Sequence, residues 1–204
     1  MNIQASFTIL TFLYWVVLLL TTLGSLVFAA LAFKLQRQVF AIGSIAALVA
    51  ALVMASVPTP AGPSSFGIVL GMLALALSVL GGGPMAVLAL HLATRGSVAP
   101  GTHGGILVDD QAALRTPGAA GAPETAVHEV LRGGLAIGML ERFAVSGAIL
   151  TGFPEAIAVV VAIKGVGRFT ELASAESRER FIIGTFASLI WACACAALVH
   201  LALS

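Results

Sequence analysis

The sequence predicts an all-α fold, a polytopic membrane bundle of about six transmembrane helices. Three observations predict it. Of 204 residues, 59% are hydrophobic and only 9% charged, against roughly a quarter charged in a soluble domain. The mean hydropathy is +1.07, so most side chains need lipid as their solvent. The apolar residues also fall into runs of roughly 20, the length that crosses a hydrocarbon core. The chain therefore reads as one integral membrane domain over 1–204.

The first run, about 7–33, follows no positive residue. Met1 to Phe33 is free of charge, and Lys34 and Arg37 come after it. A cleavable signal would begin with positives and have an apolar core of roughly 7–15 residues, so this reads as a retained helix. A second span, about 39–57, stops at Pro58, Pro60 and Pro63. A third, 64–80, meets Gly81, Gly82, Gly83 and Pro84, which should break or kink it. The segment 85–94 either continues that span or lies along the interface. Residues 95–126 are polar and rich in Gly, Pro and Ala, a long loop. Three further spans follow at about 131–151, 154–172 and 181–203.

Lys and Arg set the orientation. Lys34 and Arg37 lie between spans one and two. Arg95, Arg115 and Arg132 lie in and around the long loop between spans three and four, and Arg168, Arg178 and Arg180 lie between spans five and six. The alternate connections carry none. The expectation is both termini outside, the long loop in the cytoplasm, and a multi-pass protein of a bacterial cell (inner) membrane. Eight of the ten basic residues are Arg, a bias that points weakly to a GC-rich bacterial genome.

A net charge of +1 with no basic run interleaved with aromatics excludes nucleic acid as a partner. The expected partner is the lipid bilayer. Cys193 and Cys195, two apart on a helix, point to nearly opposite sides and read as apolar fillers.

Eleven of the nineteen charges fall between 132 and 180, and three are placed halfway along spans. Glu141 and Arg142 sit in the fourth, Lys164 in the fifth. Each such charge costs on the order of 3 kcal/mol at a helix centre unless it has a partner. With the outside turn centred near Phe153, Glu141 lies 12 residues before it and Lys164 11 after, depths of about 18 and 17 Å. The two should therefore meet in an antiparallel hairpin. Lys164, Arg168 and Glu171 continue as one polar stripe, while Gly134, Gly138 and Glu141 share a face that admits a close neighbour. Glu141, Arg142, Lys164, Arg168 and Glu171 thus form a candidate intramembrane polar centre. It reads either as an ion or proton relay or counter-charge for an anion, or as a structural ion pair with Arg142 left over.

Other constellations are weaker. Ser146 and His200 occupy helices four and six as in rhomboid proteases, but the serine stands in Ala144-Val145-Ser146-Gly147 rather than Gly-x-Ser-Gly. Glu124, His128 and Glu129, with His103, Asp109 and Asp110, fit no metal spacing rule. No metal or cofactor is expected. Small-residue faces recur at Gly67, Gly71, Ala74 and Ser78, and at Gly184, Ser188, Ala192 and Ala196. They should pack helices within one subunit, or form a homo- or hetero-oligomer seam. Trp191 and Tyr14 read as packing residues.

Three stretches, RGGLAIGMLER (132–142), PEAIAVVVAIKGVGRFTEL (154–172) and ERFIIGTFASLIWA (179–192), resemble a C-terminal segment of uncharacterised bacterial integral membrane proteins. The resemblance implies that Glu141, Arg142, Lys164, Arg168 and Glu171 form a recurring unit; it implies no activity. Some such proteins carry His and Asp pairs in their first half, which this chain lacks. The sequence leaves three functional classes open: a small transport-related or accessory subunit, a helical scaffold, and a lipid-acting membrane enzyme.

Overall fold

The computed structural model describes residues 3–58, 62–93, 134–167 and 175–204, without the side chains of 3–5, 7, 175 and 176. Six α-helices account for nearly all of them: α1 Ile3–Leu35, α2 Gln38–Ala55, α3 Ser64–Ala93, α4 Gly134–Leu150, α5 Ala156–Gly167 and α6 Ala175–Leu203. The protein is an all-α membrane bundle. Four helices, α1, α2, α3 and α6, are long and apolar enough to cross a bilayer. Among the described residues α4 has 17 and α5 has 12, the latter about 18 Å of helix.

Helices are the form this composition requires. In hydrocarbon every backbone N–H and C=O must find a partner within its own segment, and a helix provides one. Large apolar side chains such as Ile9, Val39, Met72 and Ile190 point outward, as lipid-facing residues do. The interior is made of small and branched residues with two tryptophans, including Trp15, Leu18, Ala51, Leu70, Leu77, Trp191 and Leu198.

Helices consecutive in the chain alternate in direction. Tyr14 Oη on α1 donates to the carbonyl of Met54 near the end of α2, 3.0 Å away, as a second partner beside the Val57 N–H. Further along the same antiparallel pair, Ser25 and Ser44 exchange hydrogen bonds. Each hydroxyl reaches the other's carbonyl at 2.9 Å, and both residues are fully buried. Helix α3 lies at the centre and packs on α1, α2, α4 and α6. Its long contact with α6 is antiparallel, running from Gly67 against Leu203 through Gly81 against Trp191 to Ala86 and Leu90 against Gly184. Trp15 stacks on Phe66 with centroids 6.2 Å apart, and its buried Nε1 has no acceptor among the described residues.

The interruption expected at Gly81–Pro84 does not end the helix. α3 continues through Pro84 to Ala93, so 85–93 belong to the same helix as 64–80. Pro84 removes one i→i−4 hydrogen bond. Around it the bare backbone of Gly81 and Gly82 is covered by the side chains of Trp191 and Arg142, and tertiary packing holds what local propensity would break.

Candidate functional site

The chemistry gathers halfway along α3, α4 and α6. Ser78 lies fourteen residues from the start of α3 and fifteen from its end, and Arg142 lies eight from either end of α4. Ser188 is close to the midpoint of α6. Helices α4 and α6 run parallel here. Arg142 meets Ser188, and one turn on Ser146 meets Ala192, the same offset in both cases.

Arg142 points into the bundle and is 7% exposed. Its Nε donates to the carbonyl of Val79 at 3.0 Å, and Nη1 donates to Ser188 Oγ at 3.3 Å. The side chain reaches these acceptors across Gly82, where a methyl group would overlap its Cδ. No carboxylate among the described residues pairs with it. A guanidinium has five N–H donors. Two are used, and Nη2 donates to no protein group among the described residues. On the α4 side Gly138 has no side chain to cover it; a Cβ there would stand 3.2 Å from Nη1 and 3.8 Å from Nη2.

A hydroxyl chain sits beside the arginine. Ser146 Oγ donates to the carbonyl of Ala192 at 3.3 Å. Its single proton is then used, so Ser78 donates in the 2.6 Å contact between the two hydroxyls. Trp191 seals the layer on the α3–α6 side, with Nε1 donating to the carbonyl of Leu77 at 3.0 Å. Ser78 and Ser146 are fully buried and Ser188 nearly so.

The Glu141–Lys164 contact lies on the other flank of α4. Lys164 Nζ donates to Glu141 Oε2, and the side chains are 18% and 14% exposed respectively. The ammonium also stands 5.9 Å from the ring centroid of Phe181 on α6, within cation–π range. None of α5 is buried, and its main contact is α4. Among the described residues the ion pair is therefore a polar link between a peripheral helix and the bundle.

Of the residues singled out by sequence, the structure brings Glu141 and Lys164 together and turns Arg142 away from them, toward α3 and α6. Arg168 and Glu171 lie outside the described residues, as do His103, Asp109, Asp110, Glu124, His128 and Glu129. Gly67 packs on Leu203, Gly138 on Arg142 and Gly184 on Leu90, whereas the Cβ position of Gly71 is open. Gly134 is half-buried at the described start of α4. His200 is exposed, and Ser146 is occupied with Ser78 and Ala192, which is no nucleophile–base arrangement. Sequence reading missed the Arg142–Ser188 contact and the seats at Gly81 and Gly82. The available signal was the pairing of two glycines on α3 with two large side chains on other spans.

No family model matches the chain, and no match to it was found among curated proteins or solved structures.

Proposed function

We propose that this chain is a small transport-related or accessory membrane subunit whose working centre is the polar layer on α4. The observation that carries this reading is the charge balance at mid-depth. Glu141 and Lys164 neutralise each other, while among the described residues Arg142 makes its hydrogen bonds to neutral acceptors, the Val79 carbonyl and Ser188 Oγ. A purely structural centre would be neutral, because an uncompensated charge in hydrocarbon costs several kcal/mol. A centre that receives a counter-charge from a passing solute, or from a partner subunit, has a reason to keep one cation spare. On this reading the chain spans a bacterial inner membrane six times with both ends outside, and the α4–α6 unit is shared with the uncharacterised membrane proteins it resembles.

The test is flux in liposomes. Glu141→Gln should leave the reconstituted protein folded, though less stable, and abolish a solute flux or its pH dependence. A folded Glu141→Gln protein with the flux of the parent sinks the transport reading.

A second reading, a scaffold that assembles with membrane partners, is favoured by Gly24, Gly71, Gly147 and Gly165, where an added Cβ would meet nothing within 4 Å. It expects Gly71→Leu or Gly147→Leu to lose a co-purifying complex, and joint neutral replacement of Glu141 and Lys164 to be silent.

A further inference from the structure

We infer that Arg142 and Ser188 form a binding site for a small monovalent oxyanion, of the carboxylate or phosphate type, at the middle of the membrane. The inference rests on the polar layer being the working centre, and names what that centre holds.

Four observations converge on it. Arg142 is more than nine-tenths buried, yet two of its five N–H donors meet neutral acceptors and the rest meet no protein group among the described residues. The bonds it does make fix the plane of the guanidinium, with Nε tied to Val79 on α3 and Nη1 to Ser188 on α6. Ser188 accepts from the arginine, so its own hydroxyl proton remains to be donated. Gly138, one turn earlier on α4, brings no side chain against the Nη1–Nη2 end, where a Cβ would stand 3.2 Å from Nη1 and 3.8 Å from Nη2.

A planar fork with parallel N–H groups is the geometry that grips two oxygens of one carboxylate or phosphate. Among the described residues of this layer Glu141 and Lys164 cancel and Arg142 leaves one positive charge, which makes the favoured guest a monoanion. A spherical halide would use the charge but not the fork. The neighbouring Glu141 is already engaged by Lys164, so it does not compete for the arginine, and its negative charge one residue away disfavours a dianion.

The experiment titrates the purified full-length protein in detergent with acetate, inorganic phosphate and chloride at matched ionic strength, following the thermal unfolding midpoint. Acetate or phosphate should raise the midpoint saturably and chloride should not. Arg142→Lys keeps the charge but loses the fork, and should weaken apparent affinity about tenfold or more. Ser188→Ala removes one donor and should weaken it about threefold to tenfold. Should Arg142→Lys fail to fold, Ser188→Ala and Gly138→Ala, which crowds the fork, carry the test. No response to either oxyanion, an equal response to chloride, or parental affinity in the folded variants overturns the site. Saturable, Arg142-dependent binding without liposome flux leaves the site standing and removes the transport reading instead.

Discussion

Arg142 lies across Gly82, so close that a methyl group on residue 82 would take the place of the arginine Cδ. The glycine is thus the seat of the one buried cation on α4, and the backbone of α3 is the wall against which it rests. Gly82→Ala should destabilise the protein by about 1–3 kcal/mol, as overpacking does. Gly71→Ala on the same helix meets open space and should be neutral, or stabilising by up to about 1 kcal/mol through helix propensity. Unfolding midpoints in detergent compare the two. Equal effects would mean that position 82 is not a seat.

The ion pair between Glu141 and Lys164 makes a different prediction. Glu141→Gln alone leaves an ammonium facing an amide in a low-dielectric setting, at a cost on the order of 3 kcal/mol. Adding Lys164→Met removes the orphaned charge and should recover most of that stability. A double variant as unstable as the single one would show that the two residues are not energetically coupled.

Ser25 and Ser44 hold α1 to α2 by reciprocal bonds. Ser25→Ala and Ser44→Ala should each cost about 0.6–1.7 kcal/mol, the range for polar contacts between membrane helices. Their effects should fall short of adding in the double variant, because either change breaks the same clasp. Strict additivity on chemical denaturation would contradict the clasp.

Trp191 covers Gly81 and also donates to Leu77. Trp191→Phe keeps most of the ring and loses the donor, which should cost about 1 kcal/mol. Trp191→Ala also empties the notch, and about 3–5 kcal/mol is expected. A Phe variant as unstable as the Ala variant would assign the effect to the indole N–H and not to packing.

The membrane helices themselves were legible in composition and in the run lengths of apolar residues, because solvation by lipid is a property of single segments. The meeting of Glu141 with Lys164 was legible too, since equal distances from one turn put two residues at one depth. The inward turn of Arg142 was not. It is set by Val79 and Ser188, far away in sequence on other helices, and nothing local distinguishes it from its neighbour Glu141. Gly81 to Pro84 misled for a related reason: glycine and proline lower helix propensity, but here the packing of Trp191 and Arg142 outweighs it. Ser25 and Ser44 gave no signal at all, being two ordinary serines in apolar runs.

Helix α5 has a consequence for biogenesis. Lys164 lies inside it and finds its carboxylate partner on α4, so α5 inserted by itself would carry an unpaired charge into the bilayer. α4 carries two charges at its centre and is no better placed alone. Each helix supplies what the other lacks, so the pair should leave the insertion machinery together, as a preformed hairpin, after α1, α2 and α3 have entered one at a time. A ribosome stalled before Lys164 emerges would then leave α4 waiting at the lipid boundary.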